Sequence, residues 1–188
     1  MPKKPTQVNL ALQGGGSHGA FTWGVLDKLL EDGRLTFSGI SGTSAGAINT
    51  VVYADGMMKG GADGAREALH DFWHKLSLAG HWSPIKRNPL DKILGKWSLD
   101  KSPGFRFHNL LTQSFSPYQL NPLNLNPLKR LLEKNIDFDR VRNCDITKLF
   151  ISATNVETGR VKVFEHHELT LDMVIASCCL PMTFQAVE

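Results

Sequence analysis

The chain of 188 residues has little of what marks several large protein classes. It holds three cysteines, Cys144 and the adjacent pair Cys178 and Cys179, an odd count without the C-x-x-C or Cys/His spacing of a disulfide framework or zinc site. Reduced, buried thiols are the expectation, and no metal. Its 21 Lys and Arg against 18 Asp and Glu leave a net charge of +3, too small an excess to argue for a nucleic-acid protein. The first residues, Met1-Pro2-Lys3-Lys4-Pro5, lack the apolar stretch and small-residue cleavage site of a secretory signal, which points to the cytoplasm. A run of 20 residues, 35–54, carries no charge but includes Thr36, Ser38, Ser41, Thr43, Ser44, Asn49, Thr50 and three glycines. Such a run reads as a tightly packed interior rather than a bilayer span.

What is present is ordinary for a soluble globular chain, with 41% hydrophobic and 21% charged residues and no repeat. The length suits one domain that buries roughly two-thirds of its unfolded surface. Residues 8–12 alternate like a strand and stop at Gly14, Gly15 and Gly16. His18, Phe21, Thr22, Val25 and Leu29, with Leu26 and Leu30 flanking, then predict a helix packed by one face and stopped at Gly33. Residues 35–40 read as a second strand and 45–53 as a helix buried on most sides, so strand, helix, strand, helix implies a parallel unit. Residues 60–64 read as a loop before another amphipathic helix carrying Ala65, Leu69, Phe72, Trp73 and Leu76.

Periodicity then fails across residues 81–120, where four prolines and several aromatics predict a loop-rich helical cap. Asn126-Pro127 opens a helix ending near Asn135, residues 148–155 and 160–164 suit a hairpin turning at Gly159, and Thr170 caps a helix stopped by Pro181. Residues 183–188 alternate like the opening of a further strand.

Gly42-Thr43-Ser44-Ala45-Gly46 fits the G-x-S-x-G nucleophile elbow, in which small neighbours let a strained strand-to-helix turn project the serine hydroxyl. Its position between an apolar strand and an apolar helix is the one this chemistry needs. The loop Gly14-Gly15-Gly16-Ser17-His18-Gly19 gathers backbone amides at a helix start and can bind an anion. It also reads as the G-x-G-x-x-G dinucleotide fingerprint. That reading expects a carboxylate at the end of the second strand, and none occurs across residues 35–54.

A glycine-rich loop after the first strand with G-x-S-x-G after the second resembles the patatin-like phospholipases, particularly the bacterial members, from about Val8 onward. Ala176-Ser177-Cys178-Cys179-Leu180-Pro181 is similar to the family's A-S-x-x-x-P stretch and supports the resemblance independently. The resemblance implies a three-layer α/β/α fold with a central, mostly parallel sheet, and hydrolysis of phospholipid or other acyl esters without a cofactor. It implies Ser44 as nucleophile, Gly14, Gly15 and Gly16 as the oxyanion hole, and Gly42 and Gly46 as shapers of the elbow. The family often has arginine where this chain has His18.

The family's base is the aspartate of an Asp-Gly-Gly or Asp-Gly-Ala motif that follows the A-S-x-x-x-P stretch. No such motif lies between Pro181 and Glu188, so residues 1–188 are expected to be one C-terminally incomplete domain whose base lies beyond Glu188. Asp63-Gly64-Ala65 reads D-G-A but follows the serine by only nineteen residues and reads as coincidence. His70, His74, His81, His108, His166 and His167 stand in no triad context, and the His70 and His74 pair lacks a third metal ligand.

Residues 81–120 carry Lys86, Arg87, Lys92, Lys96, Lys101 and Arg106 against Asp91 and Asp100, a local excess of +4 interleaved with aromatics. That mixture suits peripheral contact with an anionic membrane, each cation there contributing about 1 kcal/mol, and equally a solvated cap with its own small core. The alternative to an enzyme is a lipid-binding or regulatory module that keeps the fold without turnover.

Overall fold

The computed structural model describes residues 4–80 and 102–188. Strand β1 (Thr6–Leu12) leads through a 3-10 turn (Gly16–His18) into α1 (Gly19–Asp32), and β2 (Leu35–Gly42) leads into the long helix α2 (Ala45–Gly80). After the undescribed segment come α3 (Pro103–Ser114), α4 (Pro117–Leu120), α5 (Pro127–Asn135) and α6 (Phe138–Arg142). The hairpin β3 (Lys148–Thr154) and β4 (Val161–Glu165), a 3-10 turn and α7 (Leu171–Cys178) complete the chain. The sheet order is β1-β2-β3-β4, parallel across the first three strands and antiparallel at the hairpin, an α/β fold with a mostly parallel sheet.

Register explains why the two glycine motifs meet. Leu12 pairs with Gly42, and Gly42 with Ile151, so the glycine loop and the elbow leave neighbouring strands at the same carboxyl edge. In open parallel sheets that edge is where ligands bind.

The core lies between the sheet and α2. Every residue from 45 to 56 is buried, as the uncharged run predicts, and these residues meet Ile40, Leu149 and Ile151 from the sheet and Leu69, Phe72 and Trp73 from the far half of the same helix. Each fully buried aliphatic or aromatic side chain of this kind contributes about 1.5–3 kcal/mol relative to exposure. Asp55, fully buried, is paired with Lys59 and, at 3.1 Å, with Arg140 of α6. That pairing ties α2 to the second half of the chain. Asn126 and Thr170 cap α5 and α7 as their positions in the sequence predict.

Three expectations need correction. The loop expected at residues 60–64 is a break confined to Gly60 and Gly61, the latter at φ 62°, with helix on both sides. Glycine is the reason on two counts, since Gly61 reaches the left-handed region freely and a Cβ on Gly56 would stand 2.5 Å from the Gly64 carbonyl, a close approach across the break.

The buried face of α1 is also rotated from the expected one. Gly19 and Leu26 are buried, while Phe21 is 78% exposed and Val25 43%. The rotation follows from Gly19, where a Cβ would stand 2.7 Å from the Trp73 ring and 2.8 Å from the Ala45 Cβ. Gly19 lies against α2, and Ala20, Trp23, Leu26, Leu29 and Leu30 pack on the core, while Gly24 is exposed.

Residues 183–188 form a turn and an irregular segment, not a strand; Thr183 and Phe184 bond back to the Leu180 carbonyl, and Val187 packs on the core. Of the expected loop-rich cap, residues 81–101 lie outside the described residues. The rest begins with α3, a helix of 12 residues capped by Ser102.

Candidate functional site

Ser44 sits between the end of β2 and the start of α2, at φ 54°, in the left-handed region that side chains other than glycine rarely occupy. Holding a serine there costs of order 1–3 kcal/mol and persists only where the surroundings fix it. They do so here. The Thr43 amide donates to the Leu12 carbonyl at 3.2 Å, the Gly46 amide to the Thr43 carbonyl at 2.9 Å, and the Ile48 amide to the Ser44 carbonyl at 3.1 Å. The Thr43 hydroxyl meets that of Ser152 on β3 at 2.5 Å, and the Ser44 amide donates to Ser177 Oγ on α7 at 2.8 Å.

The elbow glycines are needed for space. A Cβ on Gly46 would strike the Leu12 carbonyl of β1, and one on Gly42 would stand 2.5 Å from Thr50 Oγ1. Thr50 in turn donates to the Gly46 carbonyl at 2.8 Å, closing the first turn of α2 against the strand.

The glycine loop touches the elbow at both its ends. At Gly14 a Cβ would stand 3.0 Å from Ser44 Cβ and 3.7 Å from its Oγ; at Gly19 the neighbour is Ala45. Gly15 and Gly16, both exposed, therefore arch beside the serine, and a Cβ on Gly16 would meet nothing within 4 Å. No side chain caps the 3-10 turn or α1, which leaves their positive ends to the loop. His18, standing where the family often has arginine, turns back so that its Nδ1 lies 3.1 Å from the Gly15 carbonyl. Beneath the loop, buried Asn49 donates to the Gly19 carbonyl at 3.0 Å and accepts from Trp73 Nε1 at 2.8 Å.

Cys178, which follows Ser177 on α7, carries a half-buried thiol. Burial pushes that thiol up to about 12, so at neutral pH it stays protonated and is not a base. Among the described residues no carboxylate and no imidazole is hydrogen-bonded to Ser44. Asp63 is exposed beside Arg66, beyond the break in α2. Asp55 is eleven residues up the helix from Ser44, about 16 Å at 1.5 Å per residue, and is held by Arg140 and Lys59.

His70 and His74 stack on the exposed side of α2, and His166 and His167 lie together after β4. His81 and the side chain of His108 lie outside what is described. Among the described residues no group of three or more His, Cys, Asp or Glu side chains could hold a metal ion.

Sequence reasoning missed Ser152, whose place in a strand gives no signal. It singled out the stretch around Ser177 and Cys178 without foreseeing that Ser177 reaches the Ser44 amide.

The pattern of the patatin-like phospholipases matches residues 10–188, nearly the whole chain. The chain belongs to the patatin-like phospholipase family. No curated protein sequence matches it significantly. Among solved structures it is similar to the heterodimeric ExoU-SpcU complex from the type III secretion system of Pseudomonas aeruginosa, with 19% identity and a TM-score of 0.40 over 94% of this chain and 36% of that one. It is also similar to VipD from Legionella pneumophila, with 14% identity and a TM-score of 0.45 over 97% of this chain and 44% of that one. The chain thus spans less than half the length of either. Among the described residues no helix is long and apolar enough to cross a membrane.

Proposed function

We propose that this patatin-like domain carries the nucleophile and oxyanion site of a serine acyl hydrolase acting on phospholipid or related acyl esters. The observation that carries the reading is Ser44 held in the left-handed region with Gly14 directly against it. Ser44 Oγ attacks the ester carbonyl carbon, its proton passes to a carboxylate base of the Ser-Asp dyad that the family resemblance implies, and the C–O bond to the leaving alcohol breaks. Water then releases the acyl group from Ser44. Amides of the Gly14, Gly15 and Gly16 loop face the developing oxyanion, each supplying about 3 kcal/mol of transition-state stabilisation.

The same reading places the protein in the cytoplasm, with peripheral contact to anionic membrane through a cap at residues 81–120. Phe107, Leu110, Phe115 and Tyr118 are exposed on α3, α4 and the turn between them, and Arg106 among them is exposed too. Such surface suits a lipid interface.

A fluorophosphonate ester should label Ser44, and Ser44→Ala should abolish labelling. Label that survives the substitution, or maps to Ser17 or Ser41, overturns the assignment. One observation favours a lipid-binding module without turnover: among the described residues nothing basic touches the Ser44 hydroxyl. Phospholipid bound by the native protein with neither labelling nor hydrolysis would select that reading.

A further inference from the structure

We infer that Ser177 is a positioning residue that fixes the nucleophile from across the fold, an inference that rests on the reading of Ser44 as nucleophile. Three long-range hydrogen bonds hold the elbow. Two of them end on Thr43, through the Leu12 carbonyl and the Ser152 hydroxyl. The third is the bond from the Ser44 amide to Ser177 Oγ, at 2.8 Å and across 133 positions of sequence. It grips the residue at φ 54° itself.

A serine in the left-handed region relaxes unless its neighbours over-determine it. The amide at a helix start also has no backbone partner within the helix. Ser177 answers both needs with one lone pair. Because its N–H is engaged by Ser177, Ser44 contributes no backbone donor to an oxyanion, which leaves that role to the glycine loop.

Ser177→Ala removes the acceptor, whereas Ser177→Thr keeps it. Thr170→Ala, at the opposite end of α7, removes the cap that accepts from the Met173 amide and loosens the helix without touching the elbow. In the native protein, Ser177→Ala should slow fluorophosphonate labelling of Ser44 about tenfold or more and speed amide hydrogen exchange at Ser44. Ser177→Thr should restore both. Thr170→Ala should lower the thermal midpoint and leave the labelling rate unchanged.

Parental labelling by Ser177→Ala, or equal slowing by Thr170→Ala, overturns the inference. So does a Ser44 amide that exchanges as fast as an open loop in the parent, a measurement that needs no variant to fold. A parent that protects this amide but never labels Ser44 overturns the nucleophile reading, and the positioning role with it.

Discussion

Gly14 and Ser44 are in backbone-to-side-chain contact: a Cβ added at position 14 would stand 3.0 Å from Ser44 Cβ and 3.2 Å from the Thr43 carbonyl. The glycine loop is thus built against the serine, and displacing it displaces the hydroxyl. Gly14→Ala should fold but shift Ser44 by tenths of an ångström, slowing its labelling by about tenfold, the cost of a small misplacement in a pre-organised site. Gly16→Ala meets no neighbour, and its φ of 56° costs about 1 kcal/mol. Labelling rates and denaturation midpoints of the two variants separate the effects. A Gly14→Ala protein that labels at the parental rate would show the contact to be irrelevant to reactivity.

The left-handed backbone at Ser44 predicts a stability gain that runs against reactivity. Glycine enters φ 54° without the Cβ penalty and alanine does not, so Ser44→Gly should be more stable than Ser44→Ala by about 1 kcal/mol. For a domain of this size that is a rise of about 2–4 °C in thermal midpoint. Equal midpoints would mean that the elbow is not strained.

Asp55 separates a structural carboxylate from a catalytic one. It is fully buried, ion-paired with Arg140 and Lys59, and accepts from the Asp137 amide at 3.4 Å. Asp55→Ala removes the buried partner of two cations that stay partly exposed, Arg140 keeping Asp137, and should destabilise by about 1–3 kcal/mol in chemical denaturation. Asp55→Asn keeps the shape, and its folded fraction should label at Ser44 as the parent does. Loss of labelling from folded Asp55→Asn would give Asp55 a part in the chemistry.

The sequence-legible part of this molecule is the part in which a local pattern has one structural solution. The elbow could be read because residues 42–46 together spell a tight strand-to-helix turn, although the atom a Cβ on Gly46 would strike is the distant Leu12 carbonyl, and the caps at Asn126 and Thr170 because a capping oxygen acts only two or three residues away. The rotation of α1 could not be read. It depends on Trp73 arriving beside Gly19 from the far half of α2, and periodicity along α1 holds no trace of that partner. The Thr43–Ser152 and Ser44–Ser177 bonds cross 109 and 133 positions, and a serine in a strand or at a helix end carries no mark of such a role. Residues 183–188 misled for a related reason: alternation of polar and apolar residues suits a strand, yet the turn at Leu180 and the bond from Gln185 Nε2 to the Asn121 carbonyl hold the segment outside the sheet.

Cys178 makes the alkaline limit of stability readable. Burial raises its thiol from 9.0 to about 12. A raised folded value means that the group's stabilising share is present below pH 9 and is lost as pH climbs from 9 toward 12, because only the unfolded chain ionises over that window. At pH 10 an unfolded thiol of pKa 9.0 is mostly thiolate, and the linkage removes on the order of 1 kcal/mol that is almost wholly retained at pH 8. Cys179 and Tyr53 are raised by burial as well and add to the decline, so the informative quantity is the difference between the parent and Cys178→Ala. The parent should be the more stable at pH 8, where the thiol fills its place on α7, and its advantage should shrink by about that amount at pH 10. Denaturant midpoints for both proteins at the two pH values measure it. A constant advantage from pH 8 to 10 would mean that the Cys178 thiol ionises as easily in the folded protein as in the unfolded chain, and the burial that holds it protonated would have to be abandoned.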